Sequence, residues 1–165
     1  NLLIPYTSNY AGTLLPGIRE YTVTPGEKTT TISGKGKAGL KQEENYYFFY
    51  LPVCYKGITG KSYAYYNTSR SKNLYLPASV DENYSYDIQL PENLTLCTPI
   101  QEKKIDNPIG SFKITLTSEG SSLHIELALQ IKKQLITPAE YPAFRSLITE
   151  WTDRTRKPIL FKTVQ

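Results

Sequence analysis

The stretch Ser111-Phe-Lys-Ile-Thr-Leu-Thr-Ser-Glu-Gly-Ser-Ser-Leu-His-Ile-Glu-Leu-Ala-Leu-Gln-Ile131 decides the fold. Phe112, Ile114 and Leu116 alternate with Lys113, Thr115 and Thr117. After Ser118-Glu-Gly-Ser121, the residues Leu123, Ile125, Leu127, Leu129 and Ile131 alternate with His124, Glu126, Ala128, Gln130 and Lys132. Side chains of a strand point to opposite faces with a period of two. Alternation on both sides of a Gly-containing connection therefore predicts an antiparallel hairpin with one apolar face and one polar face. The apolar face needs a second layer to cover it.

Immediately downstream the period changes. Tyr141, Phe144, Leu147, Ile148 and Trp151 fall on one helical stripe. Thr137-Pro-Ala-Glu140 reads as its entrance, with Thr137 as N-cap, Pro138 at the first helical position and Glu140 placed for a capping box. Pro142 removes a backbone donor, so the helix, expected at about 138–152, starts irregularly and becomes regular near Pro142.

Upstream the chain reads as short strands. Ile18–Val23 and Thr29–Ile32 flank a Thr-Pro-Gly turn, and Tyr46–Tyr55 is apolar and aromatic on both parities. Ser62–Tyr66, Leu74–Leu76, Ser85–Leu90 and Leu94–Cys97 follow, and Ile159–Val164 comes after the helix. Gly34-Lys-Gly-Lys-Ala-Gly39 has the letters of a dinucleotide fingerprint, but no helix of useful length follows it. It reads as a glycine-rich strand or bulge. The fold class is thus mainly β: an antiparallel β-sandwich of about ten short strands, with one C-terminal amphipathic helix on a sheet edge or open end.

With 165 residues, the chain has room for one domain or one domain with an extra segment. Residues 1–44 read as N-terminal strands or a linker from a preceding region, and 45–165 as the β-sandwich. The abrupt start at Asn1 suggests a fragment whose targeting signal lies elsewhere. No apolar run reaches membrane-spanning length. The net charge is +4, with lysines and arginines scattered rather than gathered in a stripe, which argues against nucleic acid as partner.

Little catalytic chemistry is on offer. His124 is the one histidine and falls on the polar side of its strand. Cys54 and Cys97 sit in apolar, strand-like settings, and buried thiols, a disulfide and a reactive thiol all remain open. One His and two distant Cys cannot close a structural zinc site. Asp81, Glu82 and Asp87 read as solvated carboxylates. No catalytic residue, metal or cofactor is therefore assigned. With 14 tyrosines, the chain offers Tyr63, Tyr65, Tyr66, Tyr84 and Tyr86 as candidate stacking platforms for a glycan ligand; the bland alternative is core packing.

Several segments together resemble a known family. They are Tyr50-Leu-Pro52, Thr68-Ser-Arg-Ser-Lys-Asn-Leu-Tyr-Leu76, Tyr86-Asp-Ile-Gln-Leu-Pro91, Ile109-Gly-Ser-Phe112, Ile136-Thr-Pro-Ala-Glu-Tyr-Pro-Ala-Phe-Arg145 and Ile159-Leu-Phe-Lys162. The order resembles the uncharacterised C-terminal β-rich domain that follows a transglutaminase-like core in multidomain envelope proteins of Bacteroides-type bacteria. The resemblance covers about residues 45–164. It implies a non-catalytic accessory domain that packs against, or presents substrate to, the upstream core of the same chain. The alternative reading is a carbohydrate-binding module that uses exposed Tyr platforms, with glycan or peptide as the partner left open. It also implies a periplasmic or extracellular location, which would permit a Cys54–Cys97 disulfide. Arg70 and Arg145 are expected to make structural ion pairs, and Tyr141, Phe144 and Trp151 to be structural. An accessory domain of this kind is expected to expose an apolar patch.

Overall fold

The computed structural model describes residues 18–26, 30–37, 39–51, 66 and 68–164. The expected hairpin is its centre. Strands β9 (Gly110–Glu119) and β10 (Ser122–Ile131) pair antiparallel over their full length, from Ser122↔Glu119 to Ile131↔Gly110. Gly120, at φ +57°, opens the two-residue turn. A positive φ at the first central position matches the right-handed twist of the flanking strands, and glycine adopts it without a Cβ clash.

This hairpin sits inside a four-stranded antiparallel sheet of order β6-β10-β9-β8, with β6 at Val80–Gln89 and β8 at Gln101–Asn107. Its apolar face is continuous: Leu123, Ile125, Leu127, Leu129 and Ile131 of β10 lie beside Phe112, Ile114 and Leu116 of β9, all buried. At the β8–β9 turn, Asn107 Oδ1 accepts from the backbone N–H of Ile109 and Gly110 at 2.9 and 3.3 Å. Gly110 must lack a side chain, because a Cβ there would lie 1.9 Å from the carbonyl oxygen of Gln130.

The covering layer comes from both ends of the chain. Strands β3 (Lys41–Glu43), β4 (Tyr46–Phe49), β12 (Ile159–Thr163) and β7 (Leu94–Leu96) form a second antiparallel sheet in the order β3-β4-β12-β7. Ile159 and Phe161 of β12 are buried in the same core as the β9–β10 face, with Tyr47, Phe49 and Leu96 packed against it. The architecture is the expected mainly-β, sandwich-like arrangement of antiparallel sheets. Twelve strands stand among the described residues.

The helix α1 (Tyr141–Arg156) starts as Pro142 requires. Thr137–Glu140 is a turn rather than helix, and Glu140 occupies the N-cap position. The Glu140 carboxylate accepts from the N–H and the hydroxyl of Thr137, 3.1 and 3.0 Å away, and pairs with Lys133. The capping contact thus runs from Glu140 back to Thr137, with no side-chain cap on the helix N–H groups. The helix reaches the β8 edge of the main sheet. It lies on the apolar sheet face against β9. Trp151 reaches Tyr84 of β6 at 5.9 Å between ring centroids, Lys103 of β8 meets Glu150 at 2.5 Å, and Asn107 donates to the Ala143 carbonyl at 3.1 Å. Burying Tyr141, Phe144, Leu147, Ile148 and Trp151 needs a broad apolar surface, and only a sheet face supplies one.

Two small ribbons pair with neither four-stranded sheet among the described residues. Strands β1 (Ile18–Pro25) and β2 (Thr30–Gly36) form a ribbon that pairs only with itself among the described residues. The glycine motif lies partly inside β2, as a glycine-rich strand. Strands β5 (Leu74–Tyr75) and β11 (Leu135–Ile136) make a two-residue ribbon.

Candidate functional site

The tyrosines offered the best sequence clue to a ligand site, and the structure uses those it describes for packing. Tyr84 and Tyr86 occupy alternate positions on the inner side of β6, opposite Leu127 and Ile125. They stack with centroids 6.3 Å apart and pack against the core, and Tyr84 also meets Trp151. The Tyr84 hydroxyl donates to Glu82 at 2.9 Å. Burial pushes the Tyr86 phenol well above its ordinary range, because a phenolate there would lose its hydration. Tyr66 packs edge-on against Phe144 at 5.4 Å, and its carbonyl accepts from the Tyr141 hydroxyl at 2.7 Å. These three side chains do not form an exposed platform, so they do not support a glycan site. Tyr63 and Tyr65 lie outside the described residues.

Tyr66 has helical backbone geometry, unlike the strand expected over Ser62–Tyr66; the rest of that segment is outside the described residues. Arg70 lies over the Tyr141 ring at 5.6 Å, a cation–π contact at the helix entrance. Arg145 is exposed on the helix. Tyr141, Phe144 and Trp151 are buried.

His124 lies on the outer, polar face of the main sheet, across from Asp87. Its Nδ1 is 2.7 Å from Asp87 Oδ1, and its Nε2 is 3.7 Å from Glu126 Oε1. Glu126 is held in turn by Lys113 at 3.0 Å. The hydrogen bond to Asp87, then the charges of both carboxylates, hold the His124 imidazolium above its usual pKa. Lys113 holds the Glu126 carboxyl below its usual range. Asp87, Gln89, Thr117, Glu119, Ser122 and His124 ring an open depression of about 590 Å³. The Ser122 hydroxyl donates to Gln89 at 3.1 Å rather than to His124, so Ser122, His124 and Asp87 do not form a Ser-His-Asp relay.

Cys97 is a half-buried free thiol that follows β7, its N–H bonded to the Leu160 carbonyl at 2.8 Å. Cys54 lies outside the described residues. Among the described residues no three His, Cys, Asp or Glu side chains converge to hold a metal ion, and no helix is long and apolar enough to cross a membrane.

An exposed apolar patch was expected from the sequence, but the side chains that form it were not named. Tyr75 and Leu135 are directly paired across the β5–β11 ribbon and are 67% and 53% exposed, while their neighbours Leu74 and Ile136 are buried. Tyr46 and Tyr50 are also exposed, with the Lys41 ammonium 5.6 Å over the Tyr50 ring. Alternation in Leu74-Tyr-Leu76 was the available signal: with Leu74 and Leu76 turned inward, Tyr75 must face out.

The family model of a domain of unknown function with a solved structure, DUF3858, matches residues 45–161. A crystal structure described as that of a "putative protease" from Parabacteroides distasonis ATCC 8503 superposes with a TM-score of 0.63 and 31% sequence identity. The match covers 74% of this chain but 24% of the Parabacteroides chain. No curated protein matches.

Proposed function

The chain belongs to the DUF3858 family, and from that membership we infer that it serves as a non-catalytic accessory domain of a larger protein. Its partner in this reading is a transglutaminase-like core of the same polypeptide, in a periplasmic or extracellular envelope protein of Bacteroides type. It packs against that core or presents substrate to it. Proportion carries the reading: in the Parabacteroides protein the similar region is about a quarter of the chain. A papain-like transglutaminase core and a cysteine protease share acyl transfer through a thiolate. The description of the similar chain as a protease is therefore compatible with such a neighbour.

The residues of this chain fit an accessory role. Its histidine is engaged by two surface carboxylates, and its tyrosines at 66, 84 and 86 pack inward. The Tyr75–Leu135 pair is the kind of apolar surface that a neighbouring domain would cover. Deleting from the Parabacteroides protein the region that matches this chain tests the reading. The remainder should melt several degrees lower than it does within the intact protein. Two independent melting transitions in the intact protein, with the remainder unchanged by the deletion, would refute it.

A further inference from the structure

The main sheet has two edges, and they are built differently. β8 is an edge of seven residues that carries Lys103 and Lys104, and the helix reaches over it through Glu150 and the Ala143 carbonyl. Lysines and a covering element are what proteins use to keep an edge from pairing with another chain. β6 is an edge of ten residues, longer than a typical strand, paired to β10 in unbroken register from Val80↔Ile131 to Gln89↔Ser122. It has no proline, lysine or arginine, and no bulge turns it aside. Among the described residues no strand pairs with its far side.

We propose that the free edge of β6 takes up an extended peptide segment in which basic and apolar residues alternate, adding it to the main sheet as a further strand. The proposal rests on the reading of this chain as a domain that presents substrate to a neighbouring core. Backbone groups along the open edge would supply the pairing, and the side chains set the preference. Asp81 and Asp87 stand exposed on the outer face of β6, six residues apart, so about 20 Å separates the two carboxylates. Asp81 accepts only from its neighbour Asn83, at 2.8 Å, among the described contacts, and Asp87 faces His124. On the inner face Val80, Tyr84, Tyr86 and Ile88 are half-buried and mostly apolar, with the Glu82 carboxylate among them accepting from the Tyr84 hydroxyl at 2.9 Å. A second copy of the chain would meet a charge conflict in one of its two longest registers. Antiparallel self-pairing centred on Tyr84 would set Asp81 of each copy opposite Asp87 of the other, and like charges directly opposite destabilise a pair.

The test uses the chain as it stands, with a capped eight-residue peptide alternating Lys and Val, and its Glu–Val counterpart as control. Amide hydrogen exchange followed by NMR should slow along β6 on addition of the basic peptide and not of the acidic one. Replacing both acids, Asp81→Asn with Asp87→Asn, should weaken binding about tenfold, the equivalent of two exposed ion pairs. Asp81→Asn alone, at an exposed site, gives a milder change in the same direction if the double variant is unstable. Slowing confined to β8 or to the second sheet, equal binding of both peptides, or no slowing at millimolar peptide would overturn the proposal. None of these outcomes bears on packing against a neighbouring core, which the deletion experiment decides.

Discussion

Two antiparallel hairpins in this molecule have similar backbones and unequal standing. β9–β10 joins ten residue pairs, and β1–β2 joins seven with one irregularity between Ile18 and Glu20. In the first, every second side chain of β10 from Leu123 to Ile131 is buried. In the second, Thr22, Thr24, Thr31 and Ser33 are exposed, Ile32 is half-buried, and none of them joins the core. A backbone hydrogen bond exchanges one with water for one within the protein, and its net gain is small. Apolar burial supplies most of the difference, at about 25 cal/mol per Å². The ladder shapes a hairpin, and the core makes it stable. A lone two-stranded ribbon is marginal in water.

The comparison can be broken most severely at the helix. Trp151 fills the space between α1 and β6, and Trp151→Ala should cost about 3–5 kcal/mol by leaving a cavity under the main sheet. Chemical denaturation measures this, and a loss under 1 kcal/mol would show that the helix is not integral to the core. Next, Ile125→Ala in the central hairpin should cost about 2–5 kcal/mol.

Electrostatic effects come after these. Glu140 has its carboxyl pulled down to about 2 by Lys133 first and then by the Thr137 N–H and hydroxyl. A depressed folded-state pKa means that the contribution is complete above the unfolded carboxyl value of about 4.3. It is lost as pH falls from there towards 2, and Glu140→Gln should flatten the acid limb of Tm against pH over that window. A parallel, unshifted limb in the variant would remove Glu140 from the account. His124 works in the opposite sense. Its raised pKa means that its contribution is complete below about 6.5 and fades as pH rises through the folded value. His124→Gln should abolish that slope; NMR titration of the imidazole gives the folded pKa directly, and a value at or below 6.5 would contradict the pairing with Asp87.

The smallest effect sharpens the contrast between the hairpins. Ile32→Ala in the β1–β2 ribbon removes the same atoms as Ile125→Ala, yet should move global stability by no more than about 0.5 kcal/mol. An equal loss at the two positions would mean that the ribbon belongs to the cooperative unit.

Legibility in the sequence followed the same division. The central hairpin and the helix were readable because each buries one face and exposes the other, and that contrast is written as period two or period 3.6. β8 was not read as a strand. Its sequence Gln101-Glu-Lys-Lys-Ile-Asp-Asn107 is almost wholly polar, since an edge strand with one inward apolar residue, Ile105, leaves no alternation to detect. Tyr46–Phe49 was ambiguous for the opposite reason. Tyr47 and Phe49 pack on the core, but Phe48 on the other parity is apolar too and half-buried. The candidate site suffered from a further gap. Tyr84 and Tyr86 share a parity with Ile88, which tells that they share a face, but not that the face is the covered one.

The sequence by itself determined which residues share a face, where the strand hairpin turns, and that Pro142 delays the helix. These are local matters, set by backbone geometry over a few residues. The tertiary structure decided which strands became neighbours. β12, at the end of the chain, is inserted between β4 and β7, and β6 lies beside β10 across more than thirty residues of chain. It also decided that α1 lies across the sheet face and that, among the described residues, one edge is guarded while no strand pairs with the other. Alternation marks an apolar face without naming what covers it. That choice belongs to the whole core, because the free energy of burial depends on the summed area hidden by all the elements at once.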